Sequence, residues 1–198
     1  DFMGHTFRLS PECLIPRSDT ELLCSLLIQS LPAGGRFADL CTGSGCIAVS
    51  ALLARADAAG AAVELYPDTL AIAEENAGFH GVQNRLALIC ADIFTWEPEG
   101  DFDWIVSNPP YVTMKEMKSI SPEVSLEPAR ALTDGGDGLT FYRCIFDRYP
   151  KYLRAGGAIA VEIGWRQAAA VCEIARAAGM EPTVLQDLEG RDRVVCAR

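Results

Sequence analysis

The chain has 198 residues, a length that suits one domain with a substantial hydrophobic core. Hydrophobic residues make up 49% of the composition and charged residues 22%, which is typical of a globular protein and excludes a disordered one. The formal net charge of −10 argues against an extended basic surface for nucleic acid, although it does not exclude a local basic patch.

The eight cysteines stand singly, without a CxxC pair, and the chain has only two histidines. We therefore expect buried, reduced thiols in a cytoplasmic protein, and neither a disulfide framework nor a metal site. No signal peptide and no apolar run of membrane-spanning length is visible, so we expect no contact with a membrane. The first residue is Asp1 and not Met, which is consistent with a piece of a longer protein.

The first predicted elements are an extended lead-in over residues 1–18 and a helix over residues 21–31. Ser18-Asp19-Thr20-Glu21 has the pattern of a helix start, in which a side chain caps the first turn and a glutamate follows. Beyond this helix, apolar runs typical of strands alternate with helical patterns, which predicts a parallel sheet covered on both faces. The predicted strands are 36–40, 62–65, 85–94 and 102–107, and the predicted helices are 46–56 and 68–81.

The second half begins with a loop-like stretch over residues 112–140, with at most one short helix. The next predicted elements are a helix at 139–153, a strand at 155–164, a helix at 166–179 and two strands joined through 189–192. We therefore predict one α/β domain without a linker. Residues 1–35 form its lead-in and first helix, and residues 36–198 form its core.

The tetrapeptide Asn108-Pro109-Pro110-Tyr111 is the most informative motif, and it follows the strand at 102–107. Because proline has no backbone N–H, two consecutive prolines end a central strand and hold the chain in a stiff turn. The turn presents an amide side chain, free carbonyls and an aromatic ring at the carboxyl edge of the sheet. Such a site can bind a planar NH2 group; a packed strand end is the alternative interpretation.

A glycine-rich turn, Asp39-Leu40-Cys41-Thr42-Gly43-Ser44-Gly45, connects the strand at 36–40 to the next helix. Glycines permit a tight turn and a close approach of a ligand to the backbone. Glu64 ends the following strand about 20 residues on, where a carboxylate binds ribose hydroxyls in dinucleotide folds. The turn lacks a third glycine, so a nucleoside cofactor without phosphates fits better. An exposed acid at a strand end is the alternative for Glu64.

Asp92 follows the strand at 85–94 and offers a carboxylate to the exocyclic amine of adenine, while Ile93 or Phe94 covers a ring face. The alternative is that Asp92 only caps the following turn, which is common for aspartate. Polar residues thus follow three consecutive strands, at the edge where open α/β sheets bind ligands.

Together these motifs resemble those of class I S-adenosyl-L-methionine (SAM) methyltransferases, and in particular the release-factor glutamine methyltransferase family (PrmC/HemK). Residues 14–21 (LIPRSDTE) and 127–142 (EPARALTDGGDGLTFY) resemble that family specifically, whereas adenine-N6 and some guanine-N2 methyltransferases share NPPY. The resemblance covers nearly the whole chain. It implies a Rossmann-like fold with a mostly parallel seven-stranded sheet, a C-terminal antiparallel strand and helices on both faces.

The resemblance implies transfer of the SAM methyl group to the glutamine amide of the GGQ motif in peptide chain release factors, leaving S-adenosyl-L-homocysteine. An amide nitrogen is a poor nucleophile because its lone pair is delocalised. Asn108 Oδ1 and the Pro109 carbonyl can each accept one of its hydrogens, while Tyr111 packs against the amide. The expected catalytic residues are Asn108, Pro109, Pro110 and Tyr111, and the expected cofactor-binding residues are Asp39, Cys41, Thr42, Gly43, Ser44, Gly45, Glu64, Asp92, Ile93 and Asn108.

Two further residues are expected to position the substrate. Arg17 is a candidate for placing the NPPY loop or the cofactor carboxylate, with a surface salt bridge to Asp19 or Glu21 as the alternative. Glu127 is expected to order the loop over residues 112–140. Two other polar residues are expected to support the fold and not to catalyse: Glu162 and Gln167.

The chain departs from the family pattern at several points. Cys41 stands where many members have glycine, Glu64 replaces the more frequent aspartate, and Ile93 stands where some members carry an aromatic residue. We expect this chain to lack the family's N-terminal helical domain, which in the family helps to dock the release factor. That absence bears on binding of the protein substrate and not on binding of the cofactor.

Two alternative functions make different predictions about the sequence. A nucleic-acid base methyltransferase would also use NPPY, but it predicts a basic face or a target-recognition domain, and the acidic charge offers neither. A non-catalytic partner subunit predicts decay of the glycine turn or of NPPY, and both motifs are intact. The sequence therefore favours a release factor as the partner.

Overall fold

The computed structural model describes residues 1–122 and 124–198, which form one seven-stranded sheet flanked by helices. The strands are β1 Arg36–Leu40, β2 Ala59–Glu64, β3 Leu86–Cys90, β4 Phe102–Ser107, β5 Leu153–Glu162, β6 Pro182–Gln186 and β7 Asp192–Ala197. The helices are α1 Thr20–Ser30, α2 Cys46–Ala54, α3 Pro67–Phe79, α4 Ala129–Leu132, α5 Thr140–Arg148 and α6 Ala168–Ala177.

The strands follow the order β3-β2-β1-β4-β5-β7-β6. β1 is parallel to β2 and to β4, and its last residue, Leu40, pairs with Val63 and with Ser107. These three strands therefore end at nearly the same level, which brings the loops that follow them together. β7 lies between β5 and β6 and is antiparallel to both. The predicted sheet, mostly parallel with antiparallel pairing at its C-terminal end, is confirmed.

The central strands β1 and β4 are buried along almost their whole length. Their side chains alternate between two apolar clusters, one on each face of the sheet: Phe37 and Trp104 point into one, Leu40 and Ile105 into the other. Such continuous burial is typical of strands with helices on both faces.

The lead-in and α1 belong to the cluster that contains Phe37. Phe2 and Phe7 of the lead-in and Leu23 and Leu27 of α1 are buried in it. Residues before the sheet therefore pack directly against its core, and α1 begins beside the carboxyl edge of β4.

The predicted side-chain cap at the start of α1 is wrong. No side chain caps this helix, whose N-cap residue is Asp19. The Asp19 carboxylate instead lies 3.0 Å from Arg193 Nη2, and Glu21 Oε1 accepts a hydrogen bond from the Met3 N–H at 2.7 Å. Both acids are used by partners distant in sequence, which a local pattern does not reveal.

The cysteines are all free, and six of the eight are buried. The expectation of buried thiols is wrong for Cys90, which is exposed, and Cys41 is half-buried. No helix in residues 1–122 and 124–198 is long and apolar enough to span a membrane.

Candidate active site

One pocket opens at the carboxyl edge of the sheet, where the loops after β1, β2, β3 and β4 meet. Most of the residues predicted to bind a cofactor line it: Cys41, Thr42, Gly43, Ser44, Glu64, Asp92, Ile93 and Asn108. The structure thus brings together the three polar strand ends that the sequence singled out.

The glycine-rich turn lies in the left-handed backbone region at alternate residues. Cys41, Gly43 and Gly45 have φ angles of 59°, 57° and 78°. At Gly45 an added Cβ would lie 3.1 Å from Ala73 Cβ of α3, a tight contact that favours glycine in addition to the positive φ. Cys41 adopts its positive φ with a side chain, a conformation that costs about 1 kcal/mol relative to glycine.

Asp39 and Gly45 do not line the pocket, although both were predicted to bind the cofactor. Asp39 is fully buried, and its Oδ2 accepts a hydrogen bond of 2.6 Å from the Thr42 hydroxyl. Burial raises the pKa of this carboxyl to about 7, although the Thr42 bond opposes the rise. Asp39 therefore stabilises the glycine-rich turn through Thr42, from a buried position outside the pocket.

Glu64 is buried in the pocket wall, so the alternative of an exposed strand-end acid is wrong. Its Oε2 accepts the Gly43 N–H at 3.1 Å, and its Oε1 accepts the Tyr66 N–H at 3.2 Å. Burial raises its pKa, and these backbone hydrogen bonds lower it. The carboxylate joins the glycine turn to the loop after β2.

The turn-capping interpretation of Asp92 is confirmed, and adenine binding stays a prediction. Its Oδ1 accepts the Phe94 N–H at 2.9 Å, as a turn-capping aspartate does, and the residue also lines the pocket. Beside it, Phe94 packs edge-on against Phe141 of α5, with ring centroids 5.4 Å apart. Phe141 was not predicted. It does not belong to the predicted core face of α5, and an aromatic residue outside that face could have indicated a role in the pocket.

Asn108 is half-buried at the end of β4 and faces the pocket. Its Nδ2 donates a hydrogen bond of 3.1 Å to Thr20 Oγ1 at the start of α1. Just before it, Ser107 Oγ donates a bond of 2.6 Å to the Leu40 carbonyl and ties the end of β4 to β1. Pro110 also lines the pocket, whereas Pro109 and Tyr111 do not.

Tyr111 turns away from the pocket, which differs from the expected packing against a substrate amide. Its hydroxyl donates a hydrogen bond of 3.2 Å to Glu162 Oε1, and its carbonyl accepts one of 3.0 Å from Gln167 Nε2. Burial and the Glu162 charge raise the Tyr111 pKa, so the phenol keeps its proton. Glu162 and Gln167 thus support the turn.

Arg17 pairs with Glu127, and not with Asp19 or Glu21 as the salt-bridge alternative held. Glu127 Oε2 also accepts the Ile15 N–H at 3.1 Å. Neither member of the pair lines the pocket. The pair joins the loop after β4 to the lead-in segment.

Arg130 of α4 is a pocket residue that sequence reasoning missed. Its Nη2 lies 2.6 Å from Glu12 Oε2 and 2.9 Å from Asp68 Oδ2. Its guanidinium also lies over the Tyr66 ring, 4.1 Å from the centroid. Arg130 therefore links the loop after β4 to the lead-in and to the start of α3. Its partners are 60 or more positions away in the sequence, so no local pattern could predict these contacts.

Comparisons with known proteins agree with this fold. Residues 18–159 match the family described as "Methyltransferase small domain". The release factor glutamine methyltransferase of Cereibacter sphaeroides is 46% identical over 199 residues, which is 100% of this chain and 70% of that protein. The protein of the same name from Geobacter sulfurreducens is 40% identical, with the same coverage.

Two solved structures agree with the fold. The crystal structure of protein-(glutamine-N5) methyltransferase (release factor-specific) from Alicyclobacillus acidocaldarius superposes with a TM-score of 0.56 at 31% identity, over 96% of this chain and 98% of that one. A methyltransferase from Pyrococcus furiosus gives a TM-score of 0.74 at 16% identity, over 98% of this chain and 89% of that one. At this identity the similarity supports the fold alone.

The sheet order and the pocket at its carboxyl edge define a Rossmann-like class I methyltransferase. With relatives of this identity matched over its whole length, the chain belongs to the release factor glutamine methyltransferase family.

Proposed function

We propose that this protein transfers the methyl group of SAM to the side-chain amide nitrogen of the GGQ glutamine in peptide chain release factors. Residues 1–198 carry this activity as one catalytic domain, and the reaction takes place in the cytoplasm, where release factors act. The observation that carries the proposal is the position of Asn108 beside the pocket lined by Glu64 and Asp92. An amide-binding group and a nucleoside-binding group thus share one cavity.

The residues of the pocket fit the nucleoside of SAM. Each Glu64 oxygen accepts one backbone N–H and has a further lone pair for a ribose hydroxyl. Asp92 uses Oδ1 for the Phe94 N–H, and in this proposal its other oxygen accepts the exocyclic amine of adenine. Phe94 and Phe141 supply aromatic surface on the same wall. Once bound, SAM supplies an electrophilic methyl group on a positively charged sulfur.

Asn108 and Pro109 act on the acceptor. Asn108 Oδ1 and the Pro109 carbonyl each accept one hydrogen of the glutamine NH2, which fixes the nitrogen and favours the positive charge that develops on it. With SAM bound, the nitrogen that Asn108 and Pro109 hold would take up the methyl group, and S-adenosyl-L-homocysteine would leave with the S–C bonding electrons. The nitrogen loses one proton to solvent after transfer, so no strong base is required beforehand.

The nucleic-acid alternative gains no support from the structure. Several of the dispersed cations that it would use are held in ion pairs: Arg130 with Glu12 and Asp68, Arg148 with Glu97, and Arg154 with Asp103. These charges are partly neutralised by the protein itself, and a free basic face is what phosphate contacts require.

A methyl-transfer assay tests the proposal. The purified chain is mixed with tritiated SAM and with a release factor, a release factor whose GGQ glutamine is replaced by alanine, or RNA. We expect label only on the unaltered release factor. Label on RNA, or equal label on both release factors, would contradict the proposed substrate.

A second expectation concerns Arg130, which joins three segments around the pocket. Because partly exposed ion pairs and cation–π contacts are individually weak, we expect Arg130→Ala to weaken SAM binding only about 3- to 10-fold. The change should lie mainly in faster dissociation, measured by stopped-flow fluorescence. Arg143→Ala, which removes the exposed pair with Asp137, is the matched control. Equal dissociation rates for both variants would show that the contacts of Arg130 do not stabilise the pocket.

A further inference from the structure

The two ends of the Asn108–Tyr111 turn lead to one buried carboxyl group. Tyr111 at the end of the turn donates its hydroxyl to Glu162 Oε1 at 3.2 Å. Asn108 at its beginning donates Nδ2 to Thr20 Oγ1 at 3.1 Å, and Thr20 neighbours the same carboxyl. Thr20 and Glu162 are 2% and 1% exposed, so water does not replace these contacts.

The hydroxyl of Thr20 is bonded to Asn108 and lies beside Glu162. A hydroxyl has one proton to donate, and Thr20 Oγ1 already accepts from Asn108. Glu162 Oε2 is buried and has no partner with full hydrogen-bond geometry among the described residues. The Thr20 hydroxyl is nonetheless close enough to lower the pKa of Glu162, which burial raises to about 7. Glu162 is thus a buried carboxyl beside Thr20 whose Oε2 has the capacity to accept the Thr20 proton.

The polar groups around Glu162 leave its carboxyl able to accept a further hydrogen bond, because they bind to other partners. Arg193 is the neighbouring cation, and its Nη2 lies 3.0 Å from Asp19 and 3.1 Å from Asp187. The Tyr142 hydroxyl donates to the Glu162 backbone carbonyl at 2.9 Å and not to the carboxyl. Within residues 1–122 and 124–198, the Tyr111 hydroxyl is thus hydrogen-bonded to this carboxyl, and the Thr20 hydroxyl lies beside it.

The direction of the Thr20 hydrogen bond decides which atom of Asn108 faces the pocket. With the proton of Thr20 turned to Glu162, only the NH2 of Asn108 can bind Oγ1, and Oδ1 faces the acceptor amine. If Thr20 donated to Asn108 instead, the amide would be reversed. Its NH2 would then oppose the hydrogens of the glutamine NH2.

We propose that Thr20 and Glu162 are positioning residues, which anchor both ends of the Asn108–Tyr111 turn and keep Asn108 Oδ1 directed at the acceptor nitrogen. This inference rests on the proposed methyl transfer to glutamine. It gives the threonine of the LIPRSDTE segment a role in orienting the NPPY amide, 88 positions further along the chain.

A purely structural role for these residues predicts a different result. Loss of packing lowers the unfolding temperature, while the enzyme that remains folded keeps its kcat. Loss of orientation lowers kcat at unchanged SAM affinity, because the interaction is needed in the transition state. The conservative change Thr20→Ser keeps the hydroxyl, whereas Thr20→Val keeps the shape and removes it.

The experiment measures kcat and KM for the release factor, SAM affinity by calorimetry and the unfolding temperature for each variant. For Thr20→Val we expect kcat to fall at least about 30-fold and the SAM Kd to change less than about 3-fold, while Thr20→Ser stays within about 3-fold of wild type. Thr183→Val, at an exposed position of β6, is the control and should match wild type.

Glu162→Gln provides a second, independent variant if Thr20→Val does not fold. Its amide can donate to Thr20 and so permits the reversed orientation of Asn108. We expect a fall in kcat of about 10-fold or more, and a double variant with Thr20→Val that is no worse than Thr20→Val alone. Full kcat in Thr20→Val or in Glu162→Gln, or equal losses in Thr20→Ser and Thr20→Val, would overturn the inference.

The same measurements separate this inference from the proposed function. If the wild-type chain methylates the release factor and Thr20→Val does so equally well, the inference alone fails. If the wild-type chain binds SAM but transfers no methyl group to the release factor, the proposed function fails, and the inference with it.

Discussion

Asn108→Ala is expected to abolish methyl transfer while SAM binding hardly changes. The Asn108 amide lies at the pocket end of β4 and is held there by Thr20, so alanine removes an acceptor for the substrate NH2. Loss of one preorganised group of this kind typically costs about 100- to 1000-fold in kcat. The SAM Kd should change less than about 3-fold, since ribose and adenine are bound by other residues.

Single-turnover transfer and calorimetry together check this expectation. Asn84→Ala, at an exposed position before β3, is the matched control and should behave as wild type. Near-normal turnover by Asn108→Ala would contradict the role given to this residue. A large loss of SAM affinity in that variant would instead assign Asn108 to the cofactor.

Glu64→Ala is expected to have the opposite effect, with a large loss of SAM affinity. The change removes the proposed ribose ligand and frees the Gly43 and Tyr66 N–H groups that the carboxylate holds. Loss of a charged hydrogen-bonding group of this kind costs about 1.5–3 kcal/mol, which corresponds to roughly a 10- to 100-fold increase in Kd. Saturating SAM should restore much of the transfer rate.

Gly43→Val separates the shape of the turn from the carboxylate. An added Cβ at Gly43 meets no atom within 4 Å, so any loss of affinity comes from its φ of 57° and from the pocket space that the side chain fills. Glu74→Ala, at an exposed position of α3, controls for the loss of negative charge. Unchanged SAM affinity in both Glu64→Ala and Gly43→Val would refute the assignment of this turn to the cofactor.

Local sequence signals were sufficient for the elements that build the pocket. The strand at 102–107 has the predicted bounds because two prolines must end it. The turn at 41–45 follows from its glycines, which take positive φ angles. The placement of Glu64 follows from the pairing of parallel strands, which carries residues at strand ends to one edge.

The sequence did not reveal how distant segments support these elements. Arg17 meets Glu127 across 110 positions, and Asn108 meets Thr20 across 88. Such pairs join segments that are far apart in the sequence, and periodicity carries no information about them. For the same reason Tyr111 was expected at the substrate, whereas its hydroxyl binds Glu162 behind the pocket.

Mass-spectrometric mapping of the methyl group on the release factor tests the central claim most directly. The chain and SAM are incubated with the release factor, and its peptides are compared for wild type and Asn108→Ala. The account predicts one added methyl group on the GGQ glutamine with the wild-type chain and none with Asn108→Ala. A methyl group on another residue, or the same modification with Asn108→Ala, would contradict it.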